Sequence, residues 1–172
     1  MGERLSLVPD TAMKLHILAI GRLKSGPEWE LCEDYLKRAK GLGRSCGISD
    51  LRLSDFTESK LADAPHRMAE EASRLLAACS PQAFTIVLDE RGKSLSSADF
   101  AKVIGRHLDQ STTEIAFLLG GPDGHGPQLR AKAGLLLSLG AMTWPHRLAR
   151  AMLAEQIYRA VTILVKHPYH RV

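Results

Sequence analysis

The chain has 172 residues, which suits one domain whose core needs no disulfide or metal staple. Hydrophobic residues make up 45% and charged residues 24%, the balance of a folded soluble protein; no apolar run is long enough to span a membrane, and the start MGERLSLVPDTA, with early charges and no long apolar core, does not read as a secretory signal. The net charge of +4 sits wholly in residues 144–172, where Arg147, Arg150, Arg159, Lys166 and Arg171 face Glu155 alone; a polyanion partner and a solvated helix face both account for it.

Residues 1–12, with Pro9 and little periodicity, read as a loose tail, and 13–172 as one domain. MKLHILAI (13–20) is a buried strand ending at Gly21. PEWELCEDYLKRAK (27–40) starts with proline, carries its acids first and its bases last, and spaces Leu31, Tyr35, Leu36 and Ala39 as a helix does, with Gly41 and Gly43 ending it. ISDLRL (48–53) alternates like a strand with one wet face. Residues 58–79 read as a helix in which Pro65 makes a kink or marks the true first turn. FTIVLD (84–89) is a central strand; Ser96 or Ser97 caps a helix to about His107, with Asp99 placed to complete the cap. EIAFLLGG (114–121) and GLLLSLG (134–140) are further apolar strands, and 147–166 is the last helix. Strands alternating with helices predict an α/β fold with a mostly parallel sheet flanked by helices.

That last helix is apolar nearly all round, with a narrow polar stripe of Glu155, Arg159, Thr162 and Lys166. Such a helix is buried on more than one side. A second subunit explains it; a fully internal helix is the alternative.

Common nucleotide and hydrolase signatures fail. Gly21 and Gly26 have phosphate-loop spacing, but Pro27-Glu28 stands where Lys-Ser/Thr is required; no G-x-G-x-x-G, G-x-S-x-G or H-E-x-x-H occurs. Cys32, Cys46 and Cys79 are widely spaced without C-x-x-C, so a reducing cytoplasm is expected. His167 and His170 lack a third nearby ligand, and no metal is expected. Three segments stand out instead. LLGGPDGHG (118–126) follows a strand with glycines that expose backbone N–H groups, or forms a plain tight turn. LGAMTWPH (139–146) does the same after another strand. KHPYHRV (166–172) gathers a stacking ring, two imidazoles and a guanidinium, or is a frayed end.

With KLHILAIG (14–21) and IVLDERGK (86–93), the strings LLGGPDG (118–124), LSLGAMTWPHRLARAMLAEQIYRA (137–160) and HPYHR (167–171) resemble the bacterial ribosomal RNA large-subunit methyltransferase H family, of the SPOUT class. The resemblance runs from Met13 to the C-terminus. It implies a single SPOUT domain with a C-terminal trefoil knot, a cytoplasmic homodimer, S-adenosyl-L-methionine as cofactor, and methylation of N3 of a pseudouridine in 23S rRNA within the ribosome. Carried over by motif, the cofactor residues are Leu88, Gly120, Leu139, Gly140, Ala141, Met142, Thr143 and Trp144; Gly120 is expected to leave the cofactor room. The substrate side is His146, Arg150, Glu155, Tyr169, His170 and Arg171. His146 or His170 would take the N3 proton, or Arg150 and Arg171 would stabilise the anion. The tail 167–171 carries too little apolar bulk for core and is expected to close over the nucleotide. Rival readings are a methyltransferase of another RNA, such as tRNA, and a non-catalytic RNA- or ribosome-binding relative. The intact glycine segments speak against the latter and HPYHR against the former.

Overall fold

The structure, a computed structural model, describes residues 12–171, so the expected N-terminal tail lies, apart from Ala12, outside the described residues. Its elements are β1 (Met13–Ile20), α1 (Pro27–Gly43), β2 (Ile48–Phe56), α2 (Ala64–Ala78), β3 (Phe84–Ser94), α3 (Ser97–Asp109), β4 (Glu114–Leu119), α4 (Pro127–Lys132), β5 (Leu135–Ser138) and α5 (His146–Leu164). The five strands form one parallel sheet in the order β2-β1-β4-β3-β5.

Strand periodicity divides the core. Leu15 and Ile17 of β1 and Ile115 and Phe117 of β4 pack on one face with Phe100 and Ile104 of α3 and Ile157 and Val161 of α5. Leu18, Ile20, Ala116 and Leu118 point the other way, to Leu75 of α2 and Leu129 of α4. Burial on both faces is why these strands read as continuous apolar runs. β2, on the edge, exposes Ser49 and Arg52.

Local chemistry sets the ends. Pro65 does mark a first turn: α2 begins at Ala64, capped by Asp63, whose side chain accepts from the His66 N–H, so 58–63 is loop rather than helix. Ser96 caps α3 by accepting from the Asp99 N–H at 3.0 Å. α1 runs through Gly41 and Gly43, because its packing against β2 and α5 overrides glycine's weak propensity; the chain turns only at Gly47, φ 95°. β3 runs on to Ser94 through an irregularity in which both Leu88 and Lys93 pair with Leu137. There Gly92 lies against β5, and a Cβ on it would stand 2.6 Å from the backbone of Leu136 and Leu137.

The all-round apolarity of α5 is used within one chain. α5 packs on α1 and α3, burying Ala151, Leu153, Ala154, Ile157, Tyr158, Ala160 and Val161. Of the expected polar stripe, Thr162 is fully buried, Glu155 and Arg159 are half-buried and Lys166 is exposed. Within one chain α1 and α3 thus cover much of α5, while His146, Arg147 and Leu148 at its start stay exposed.

Gly92→Ala should lower unfolding free energy by about 2 kcal/mol or more, since the clash is with backbone that cannot rotate away. Gly41→Ala, where a Cβ meets nothing within 4 Å, should raise it by up to about 1 kcal/mol. Urea denaturation of both variants checks this; equal effects would contradict the close packing of β3 on β5.

Candidate active site

In a parallel sheet all C-terminal strand ends meet at one edge, where ligands bind. Here the ends of β3, β4 and β5 and the start of α5 enclose a cleft of about 280 Å³. Leu88, Gly120, Leu139, Gly140, Met142, Thr143, Trp144, His146 and Arg150 line it, so most of the residues expected from sequence converge. Ala141 is in the same loop but exposed and outside the lining: Gly140, at φ 117°, turns the chain, and Met142 to Trp144 come back to the cleft. Ser138 pins this turn, its hydroxyl accepting from the Gly140 N–H at 3.2 Å and donating to the Gly140 carbonyl at 3.0 Å.

The second wall is a tight turn closed by the Gly124 N–H on the Gly121 carbonyl at 2.9 Å, with Pro122 and Asp123 between. A Cβ on Gly120 would meet the Gly124 carbonyl oxygen at 3.0 Å and His125 Cε1 at 3.1 Å. Gly120 thus also lets the turn fold against itself, so a side chain there would distort the wall as well as enter the cleft that Gly120 lines.

Asp89, Asp123, His125 and Arg130 also line the cleft. Asp89, Asp123 and His125 fall inside the singled-out segments and Arg130 outside them, all unmarked, because their burial and convergence arise only from the fold. Asp89 accepts from the Arg91 N–H at 2.9 Å and lies 3.6 Å from Arg130, which also donates to the His125 carbonyl. His125 is 7% exposed, and its Nε2 has no hydrogen-bond partner. Burial holds its pKa below the ordinary imidazole value, with Asp89 opposing.

Arg150 is 2% exposed. Its Nη2 donates to the Gly21 carbonyl at 2.8 Å and the Ile20 carbonyl at 3.3 Å, and Nη1 lies 3.8 Å from Asp55. Nε and Nη1 have no hydrogen-bond partner. Arg150 is therefore a fixed cation at the cleft, tied to the end of β1, rather than a mobile RNA contact. Burial lowers its pKa from the guanidinium value, opposed by Asp55.

The other expected substrate residues lie elsewhere. Glu155 follows Arg150 by five residues, about 140° around the helix, and with Ser97 and Gln156 lines an adjoining cavity on the other side of the Leu137–Gly140 segment, which lines both. Glu155 accepts from Arg159 Nε at 3.0 Å and from the Tyr169 hydroxyl at 3.2 Å. The Tyr169 ring lies 4.6 Å from that of Tyr158 and 5.0 Å from the Arg159 guanidinium. Burial, with Tyr35 and Glu155, pushes its pKa up to about 12. Tyr169 therefore does pack against the core, contrary to the expectation from the tail's composition. What turns the tail back is Lys166, left-handed at φ 57°, with the His167 N–H on the Thr162 carbonyl at 2.8 Å and the Lys166 N–H on the Ile163 carbonyl at 3.2 Å. Arg171 is exposed and His170 half-buried. Among the described residues, no group of three or more His, Cys, Asp or Glu is placed to hold a metal ion, and no helix is long and apolar enough to cross a membrane.

A parallel α/β domain whose sheet edge carries a cleft built from two glycine turns is the frame in which the comparisons fall. Residues 13–170 match the family model described as "Predicted SPOUT methyltransferase", and the chain belongs to that family. Among its relatives, "Ribosomal RNA large subunit methyltransferase H" of Rhodopseudomonas palustris (strain BisB18) is 51% identical over 159 residues, 92% of this chain and 99% of the relative. The protein of the same name from Nitrobacter winogradskyi is 47% identical over the same shares. Solved structures are more distant. A probable methylase family protein from Haemophilus influenzae Rd KW20 is 14% identical, with TM-score 0.48 over 92% of this chain and 70% of that one. The SpoU methyltransferase AviRb from Streptomyces viridochromogenes, in complex with AdoMet, is 13% identical with TM-score 0.40 over 92% and 62%.

A histidine with a depressed folded pKa contributes stability that is present above its unfolded value, near 6.5, and lost as pH falls through the folded value. His16 and His107, also lowered by burial, act with the same sign as His125. Urea midpoints should fall below about pH 6.5, and His125→Gln should flatten part of that fall. An unchanged pH profile in His125→Gln would contradict the burial of a neutral imidazole there.

Proposed function

We propose that the chain transfers a methyl group from S-adenosyl-L-methionine to N3 of a pseudouridine in 23S rRNA of the assembled ribosome, as a cytoplasmic homodimer. The observation that carries this reading is the convergence of the 88–89, 119–125 and 137–150 segments into one cleft in a chain 51% identical, over nearly the whole relative, to a ribosomal RNA large subunit methyltransferase H. The cleft's chemistry suits that cofactor. Leu88, Leu119, Leu137, Met142 and Trp144 offer apolar surface to an aromatic base, while Asp89, His125 and Arg150 offer polar groups to ribose and amino-acid ends. The trefoil knot belongs to the proposal, supported by family membership.

The bound cofactor supplies an electrophilic methyl on a sulfonium. Residues of this chain must remove a proton and align the nucleophile. N3 gives up its proton, its electron pair forms the C–N bond as the C–S bond breaks, and the thioether leaves. His146, exposed at the first turn of α5 and lining the cleft, would take the proton on this reading, with His170 of the tail as the alternative. Arg150, with two nitrogens free of hydrogen bonds, is placed to stabilise the N3 anion. In one chain Tyr169 is held against Glu155 and Arg159, away from the cleft. On this reading the tail residues Tyr169, His170 and Arg171 serve the cleft of a second subunit. Met142, Trp144, Leu148 and Leu31, large apolar side chains 36–73% exposed, are available to that interface.

Ribosomes lacking the modification, incubated with the protein and methyl-labelled cofactor, should gain label at one pseudouridine of 23S rRNA. Label in tRNA alone, or none with a cofactor-binding protein, would overturn the reading. Removing residues 169–172 should cut transfer about 10²-fold or more while leaving cofactor affinity within about threefold, since the tail is proposed to act on the nucleotide and not on the cofactor. Full activity of the truncated protein would contradict a role for the tail.

A further inference from the structure

Helix α2 reaches the cleft without lining it. Arg67, in its first turns, donates from Nε to Asp123 Oδ2 at 2.7 Å and from Nη2 to Asp123 Oδ1 at 3.1 Å, a two-pronged fork. Its Nη1 donates to the Leu61 and Ala62 carbonyls at 3.0 and 2.9 Å. One guanidinium thus joins the loop before α2, the helix itself and the Pro122–Asp123 turn. Both side chains are 26% exposed. One helical turn on, Glu71 is 4% exposed; its Oε1 accepts from the Ser59 N–H at 2.8 Å, and its unpartnered Oε2 lies 3.1 Å from where a Gly121 Cβ would stand. Gly120 and Gly121 have no side chains with which to anchor themselves, so the position of this wall is set from behind, by α2.

Both side chains are partly exposed, which limits what the pair adds to global stability even with its two-pronged geometry. What a fork fixes is geometry. The Arg67 hydrogen bonds also hold the Asp123 carboxyl below the usual carboxylate range. We propose that Arg67 and Asp123 form a staple through which α2 fixes the glycine wall of the cleft, making Arg67 a positioning residue for S-adenosylmethionine that does not itself line the cleft. The proposal rests on the reading that this cleft holds that cofactor. Without the guanidinium, Asp123 keeps its charge but turns to water, and the wall relaxes.

The test is calorimetric binding of S-adenosylmethionine to the full chain and to Arg67→Ala, Arg67→Lys, Asp123→Ala and the Arg67→Ala/Asp123→Ala double variant, with melting temperatures. Each alanine variant should weaken binding about tenfold, within the range that a small misplacement of a site costs. The double variant should be no weaker than the worse single one, because the two act as a unit. Lysine should recover only part, since an ammonium keeps the charge without the fork. Melting temperatures should change by no more than about 3 °C, and at saturating cofactor kcat should recover while KM for cofactor stays raised. If the full chain binds and Arg67→Lys and Arg67→Ala bind as tightly, or if the single effects multiply in the double variant, the staple is refuted while the cofactor reading stands. If the full chain does not bind the cofactor at all, the cofactor reading fails and the staple with it.

Discussion

Parallel pairing of five strands is the constraint on which the rest depends. It forces every strand to end at the same edge, so turns far apart in sequence become neighbours there. It also demands cover on both faces, which α1, α3 and α5 supply on one side and α2 and α4 on the other. The close approach of Gly92 to β5 belongs to the same constraint: β3 runs past its irregularity and pairs again with β5, so the 88–91 segment closes one side of the cleft.

The cleft is polar where the fold supplies fixed partners and apolar elsewhere. Arg150 spends one nitrogen on the carbonyls ending β1 and keeps two unpartnered. A buried cation of this kind is costly unless something anionic meets it, and Asp55 at 3.8 Å meets it only partly. His125 has a similar shortfall, with an unpartnered nitrogen in a buried ring. Both lie in the lining, where a ligand's polar groups can complete them.

Much of this was legible in the sequence. Strand runs, the Ser96 cap and the Pro27 start carry strong local signals, and the glycine segments were recognisable by motif. The misses have physical causes. α4 has only six residues and no periodicity to read. Pro65 left two helix starts open, and only the Asp63 cap chose between them. The composition of α5 fits burial by a partner or by its own chain; α1 and α3 cover much of it, and its first turn stays exposed. The placement of Tyr169 depends on a left-handed lysine at 166, a position that glycine ordinarily marks and that this sequence does not advertise. Asp123, His125 and Arg130 matter through burial and pairing, which no linear spacing encodes.

If one chain provides the cleft while the tail that folds back on its own Glu155 serves another chain's cleft, as proposed, the two functions can be separated between subunits. Mixed dimers test it directly. Subunits carrying Gly140→Val, whose strained turn should spoil the cleft, are refolded or co-expressed with subunits lacking residues 169–172, and methyl transfer to ribosomes is measured. Each parent should be inactive, and the mixed dimer should regain transfer through its one intact pairing of cleft and tail. Mixed dimers as inactive as their parents would contradict the account.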